Sequence, residues 1–397
     1  MGTDARRRLI AVALAVASAA ALLAACGSSD GAAPTTTAAP GPSPDDALRL
    51  DQIQVIGTHN SFHQLAPADE RAKLRSLNPE QELQREYTHP KLATQLGSER
   101  IRQIELDVFA DGSGGLYAHP ALRDPKAGPL DAAMDEPGTK VLHEQDVDYH
   151  SVCPTLVDCL SEVKAWSDAN PGHVPIAINI QFKDGPLIFD VPGQAVPEKW
   201  TTERMDRLDQ EIRSVFDDDE IIEPDDVRGD HATLEEAVLA HEWPTLGESR
   251  GKVMFLMINP EPYRSIYLQG HEGLRGRVLF TNAEPGQPDA SYVGLDDPVA
   301  DGARIRDLVR KGYLVRTRAD ANGVEAQADD TARLEAALAS GAQWVSTDYP
   351  GPDGARDQFG TSYVAKLPGF LAARCNPQTA PKGCEDERVE PPSGDGS

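Results

Sequence analysis

Four short apolar runs in the chain carry, or lead into, side chains that could bind a metal and move protons. The run Ile53–Ile56 continues into Gly57-Thr58-His59-Asn60-Ser61-Phe62-His63, and Ile101–Val108 holds Glu105 and Asp107. Lys140–Leu142 stops at His143, and Ile176–Phe182 carries Asn179 and Gln181 with Lys183 just beyond. Residues two apart on a strand project to the same side, which groups Glu105 with Asp107, and Asn179 with Gln181 and Lys183. Carboxylates and amides gathered in one cavity are costly unless they are solvated or hold a cation. The oxygen donors of Asn60, Glu105 and Asp107, with Gln181 as a further candidate, suit a hard cation such as Ca2+ better than Zn2+. His59 and His143 flank them, and imidazole titrates near neutral pH, where it can act as acid and base. A phosphodiester suits such a set, because positive charge offsets what builds on the phosphoryl oxygens. Glu105 and Asp107 also have a purely structural reading, as ion pairs with Arg102 or Lys183. His63 and His89 are expected on the surface or in a substrate loop, and His173 in a turn.

The elements that must position these groups are short. Apolar, β-branched runs recur at Ile53–Ile56, Ile101–Val108, Lys140–Leu142, Ile176–Phe182, Val253–Ile258, Val278–Phe280, Tyr313–Arg316 and Trp344–Ser346. Between them, Thr155–Ala169, Glu203–Val215, Leu234–Ala240, Ala300–Lys311 and Thr331–Ala339 place apolar residues at three- and four-residue spacing, the helical period. Alternation of this kind predicts parallel strands joined by crossover helices, so the expected fold class is α/β, a (β/α)8 TIM barrel with insertions. The barrel is expected over 48–372, with an acidic, solvated insertion at about 185–250 around Asp217-Asp218-Asp219-Glu220, and a disulfide loop and disordered tail over 373–397. In such a barrel the active site collects at the carboxyl ends of the strands, where the candidate residues lie.

Acidic side chains number 64 against 38 basic, for a net charge of −26. That field repels polyphosphate backbones, so no nucleic-acid partner is expected. Arg6-Arg7-Arg8, the apolar run Leu9–Ala25 and Leu23-Ala24-Ala25-Cys26 read as a secretory signal over 1–25, similar to that of bacterial lipoproteins, with Cys26 as the lipidated residue. Ser, Thr, Ala, Gly and Pro then dominate a tether over 26–47. The chain is therefore expected to be exported, anchored by lipid to the outer face of a cell membrane, and monomeric. Cys153, Cys159, Cys375 and Cys384 suggest two local disulfides, Cys153–Cys159 and Cys375–Cys384, although four cysteines allow three connectivities.

The stretches Gly57-Thr58-His59-Asn60-Ser61-Phe62, Ile104-Glu105-Leu106-Asp107-Val108-Phe109 and Lys140-Val141-Leu142-His143 resemble the calcium-dependent phosphatidylinositol-specific phospholipase C of actinobacteria, within the superfamily of barrel phosphodiesterases (PLC-like). Asp146-Val147-Asp148-Tyr149 through Cys159, Asn170-Pro171-Gly172-His173 and Gly251-Lys252-Val253-Met254-Phe255-Leu256 agree with it, and the resemblance spans roughly residues 50–350. It implies a phosphatidylinositol substrate, a Ca2+ cofactor held by Asn60, Glu105 and Asp107, and His59 at the attack of the inositol 2-hydroxyl on phosphorus. It implies a second histidine as acid to the diacylglycerol leaving group, His143 at a strand end or, alternatively, His119. Related enzymes place glutamate where this chain has Gln181, which removes one negative charge and should weaken cation affinity. Lys183, Arg318 and Tyr349 are candidates to hold phosphate or inositol. The alternatives are a glycerophosphodiester phosphodiesterase, and a catalytically weak surface protein that binds lipid or sugar.

Overall fold

The computed structural model describes residues 43–391, apart from 78, 80–82, 129 and 189–190. The expected signal and Cys26, together with most of the tether and the last six residues of the tail, lie outside the described residues.

Among the described residues ten strands form one sheet: β1 (Ile53–Thr58), β2 (Gln103–Phe109), β3 (Lys140–Val141), β4 (Ile176–Lys183), β5 (Val253–Met257), β6 (Leu279–Thr281), β7 (Tyr292–Gly294), β8 (Leu314–Arg318), β9 (Trp344–Thr347) and β10 (Ala373–Cys375). Eight of them run parallel in the order β6-β5-β4-β2-β1-β9-β8-β7. A parallel bridge between Asn282 and Tyr292 joins the two ends and nearly closes the ring. The α/β barrel expected from the alternation is present.

Its membership differs from expectation at one strand. Lys140–Leu142 supplies no barrel stave: β3 is two residues long and pairs antiparallel with β2. The missing stave is β7, whose Tyr-Val-Gly is too short and too close to polar residues to stand out in the sequence.

The helices follow from their patterns. Leu156–Ala169 buries Leu156, Cys159, Leu160, Val163 and Ser167 at helical spacing and is capped by Thr155, whose side chain accepts from the Asp158 amide. Burying each of its large apolar side chains stabilises the fold by about 1.5–3 kcal/mol. Asn170, Pro171 and Gly172 end it, and the Cys153–Cys159 disulfide ties its first turn to the preceding loop. The second disulfide joins Cys375 and Cys384.

Two expectations about the segments outside the staves are corrected. The run 217–219 is exposed, but the rest of the acidic segment is no solvated excursion: the helix Thr202–Arg213 buries Met205, Leu208 and Ile212, and Trp243 is fully buried with its indole donating to Gly312 O at 2.7 Å. It is the crossover between β4 and β5, and apolar periodicity outweighs its acidity. The stretch after Cys384 packs back on the barrel at Val389, which is buried, and at Glu390, which pairs with the buried Arg102.

Candidate active site

The turn after β1 is built to set two side chains at the mouth. Gly57 lies opposite Gln103 of β2, where a Cβ would fall 1.8 Å from Gln103 Oε1, so only glycine lets the two strands approach. Ser61 then takes over as a bridge: its amide donates to Glu105 O at 2.9 Å and its hydroxyl accepts from the Glu105 amide at 2.8 Å. Asn60 sits at φ 42°, a left-handed conformation that asparagine tolerates, and its Nδ2 donates to the Tyr87 hydroxyl at 2.9 Å. His59 and Asn60 are thereby fixed against β2, which carries Glu105 and Asp107.

Each candidate acid–base histidine has its own buried carboxylate. His59 Nδ1 lies 2.7 Å from Asp348 Oδ1, and Asp348 also receives Arg318 Nη2 at 2.8 Å. Burial pushes the Asp348 carboxyl up, but the charges of His59 and Arg318 outweigh it and hold it below the usual carboxylate value. An ionised Asp348 can only accept, so His59 Nδ1 carries the proton of that bond and Nε2 faces the mouth, 3.6 Å from Glu105 Oε1. His143 Nδ1 lies 2.8 Å from Asp148 Oδ2. Burial pushes the His143 imidazolium down, but the hydrogen bond and charge of Asp148 outweigh it and leave its pKa above the ordinary histidine value.

Asp148 is shared. His63 Nε2 lies 3.0 Å from Asp148 Oδ1 while its Nδ1 meets Tyr87 O at 3.1 Å, and its ring stacks on Tyr87 at 4.3 Å. The expectation of a surface or substrate-loop role for His63 and His89 is therefore corrected. Both are buried, at 1% and 2% exposure, and His89 Nε2 bonds His59 O at 3.0 Å. Burial draws His89 down to about 4, which keeps its ring neutral. Adjacent at the end of a predicted strand, His59 and Asn60 gave a readable signal; the burial of His63 depends on Tyr87 and Asp148, which no local pattern links to it.

The carboxylates of β2 carry cations of the chain itself. Arg316 Nη2 lies 2.7 Å from Glu105 Oε2 and Lys183 Nζ lies 3.0 Å from Asp107 Oδ2. Burial raises the Asp107 carboxyl, and Lys183 and His143 offset part of that rise. Arg102, the other partner considered from the sequence, is committed to Glu390 instead. The donor set fits a hard cation on one observation: Asn60 Oδ1, Asp107 Oδ1 and Asn179 Oδ1 are buried with no hydrogen-bond partner among the described residues. Asn179 stands beside Glu105 in the β2–β4 register and Gln181 beside Asp107. Asn179 was readable as facing the same cavity, but not as unpartnered.

Two candidates for substrate contact are engaged otherwise than expected. Tyr349 is buried, edges on Tyr363 and Phe359, and its hydroxyl donates to Glu86 O at 3.4 Å, so its ring is packed rather than open to an inositol. Arg318 is nearly buried and bonded to Asp348, so it supports His59. His119 is exposed on the loop between β2 and β3, whereas His143 follows β3 directly, with the Leu142 amide donating to Asp107 O at 3.3 Å.

Residues 48–377 match the family model described as phosphoinositide phospholipase C, Ca2+-dependent. No curated protein matches the chain. Among solved structures, a Ca2+-dependent phosphatidylinositol-specific phospholipase C from Streptomyces antibioticus shares 20% identity over 77% of this chain and 96% of that chain, with a TM-score of 0.49. A calcium-dependent phosphoinositol-specific phospholipase C from Pseudomonas sp., in an apo form, shares 15% identity over 84% of this chain and 97% of that chain, with a TM-score of 0.48.

Proposed function

Since the chain belongs to the Ca2+-dependent phosphoinositide phospholipase C family, whose model spans residues 48–377, we propose that it cleaves the glycerol–phosphate bond of phosphatidylinositol with His59 and His143 as its acid–base pair. It is a phosphoric diester hydrolase whose substrates are phosphatidylinositol-type phosphodiesters. One observation carries the assignment of roles: both histidines are tied by Nδ1 to a buried carboxylate, His59 to Asp348 at 2.7 Å and His143 to Asp148 at 2.8 Å. A carboxylate on Nδ1 fixes the tautomer and ring orientation and leaves Nε2 for the substrate.

His59 Nε2 takes the proton of the inositol 2-hydroxyl as its oxygen attacks phosphorus. His143, whose proton Asp148 retains, gives it from Nε2 to the glycerol oxygen as the bond from phosphorus to that oxygen breaks. The products are diacylglycerol and a cyclic inositol phosphate. Asn60, Glu105 and Asp107 would hold Ca2+, with Asn179 beside them, and bound there it would supply positive charge to the phosphoryl oxygens. Product analysis tests the reaction. Diacylglycerol and cyclic inositol phosphate from phosphatidylinositol support it, whereas glycerol phosphate released from glycerophosphoinositol as the preferred reaction favours the glycerophosphodiesterase alternative.

The same proposal includes export, a lipid anchor on Cys26 and a monomeric state. The Arg-rich, apolar and Ala-Ala-Cys succession over 6–26 and the two disulfides support export. Palmitate labelling that survives Cys26→Ser contradicts the anchor.

A further inference from the structure

The two carboxylates of β2 are each met by one basic side chain, but the two partners are held very differently. Arg316 and Glu105 are both 3% exposed, and Arg316 also donates from Nε to Ser346 Oγ at 2.9 Å and pairs with Asp296. It is fixed at three points. Lys183 ends β4 with its side chain 26% exposed, and among the described residues Asp107 is the one carboxylate within ion-pair distance of its Nζ. Its four-carbon stem leaves it free to turn toward solvent. Asp107 itself is fully buried, and its Oδ1, Asn60 Oδ1 and Asn179 Oδ1 have no hydrogen-bond partner among the described residues.

We propose that Lys183 is an internal competitor of the divalent cation: its ammonium and the cation contend for the Asp107 carboxylate, and the cation binds by displacing it. The inference rests on the calcium reading given above and adds a residue that controls it. With the cation on the unpartnered Oδ1 and the ammonium on Oδ2, one carboxylate would be shared by like charges about 5–6 Å apart, and a partly buried site screens that repulsion weakly. Gln181, beside Asp107 in the register, makes the competition consequential, because a neutral amide adds no charge to help the cation. The displaced ammonium lies at the mouth, where a phosphate can take it. Cation and phosphate binding therefore reinforce one another, and by linkage each tightens the other equally.

Calorimetric titration of CaCl2 into the wild-type chain, Lys183→Gln and Lys183→Arg tests this without reference to turnover. Lys183→Gln is expected to bind calcium at least about tenfold more tightly than wild type, and Lys183→Arg within about threefold of it. Lys183→Met, which keeps the stem, serves the same purpose if the glutamine variant does not fold. Inositol 1-phosphate is expected to tighten calcium in the wild type and to do so less in Lys183→Gln. Calcium binding that is unchanged or weaker in Lys183→Gln, or an equal effect of inositol phosphate in both, overturns the proposal. Absence of calcium binding in all of the variants and the wild type overturns the calcium reading itself.

Discussion

His59, just past the first strand of the barrel, and Asp348, just past the last, meet at 2.7 Å between Nδ1 and Oδ1 although 289 positions separate them. β1 and β9 pair in register from Val55–Trp344 to Thr58–Thr347, and the His59 amide donates to Thr347 O at 3.0 Å. Pairing the first stave of the chain with the last thus assembles the acid–base unit, and Arg318 from β8 braces it from behind.

Asp348→Asn keeps the shape of the side chain but removes the charge that orients and stabilises a protonated His59. Asp348 is a positioning residue, so the loss should appear in kcat, by about 10²-fold, with calcium binding unchanged. Steady-state kinetics on phosphatidylinositol, together with calcium titration, check this. A kcat within threefold of wild type would show that His59 does not depend on Asp348.

The second dyad sets a pH dependence. Asp148 raises the His143 pKa against the opposing effect of burial, so the acid form of His143 persists above the ordinary histidine value. Removing the carboxylate leaves burial and the Lys183 charge opposed by Glu144 only, which lowers the pKa. Asp148→Asn should therefore move the alkaline limb of the kcat/KM profile to lower pH and reduce the maximum. A limb that stays in place assigns it to another group.

Gly57→Ala probes the scaffold rather than the chemistry. A Cβ there would meet the Gln103 side chain at 1.8 Å to 2.7 Å, deep between β1 and β2, and Gln103 is itself buried. The expected cost is about 1–3 kcal/mol in urea unfolding, with activity falling through displacement of His59 and Asn60. Unchanged stability would mean that Gln103 can leave the contact freely.

The sequence made the repeating parts of this molecule legible. β1, β2, β4, β5, β8 and β9 are apolar runs with β-branched residues, and the helices Leu156–Ala169 and Pro298–Arg310 show the helical period, so each is encoded within its own window. Lys140–Leu142 looks the same locally, but only its pairing with β2 decides that it is a short antiparallel appendage. β7 carries three residues, too few for a period. Within the site, Asn60, Glu105, Asp107 and His143 could be placed because each follows or sits in a strand. The roles of His63 and Asp348 could not, since each is set by a partner 85 or 289 positions away. Tyr349 was misplaced for the same reason: its position after β9 is visible in the sequence, whereas its packing against Phe359 and Tyr363 is not.

The central claim is that a calcium-assisted pair of histidines cleaves phosphatidylinositol. Its most direct test is release of diacylglycerol from vesicles of phosphatidylinositol or phosphatidylcholine by the wild-type chain and His59→Ala, with calcium or with chelator. Rapid release is predicted only from phosphatidylinositol, only with calcium and only by the wild type, with His59→Ala lower by at least about 10³-fold. Equal cleavage of both lipids, undiminished turnover in chelator, or retained activity in His59→Ala would contradict it.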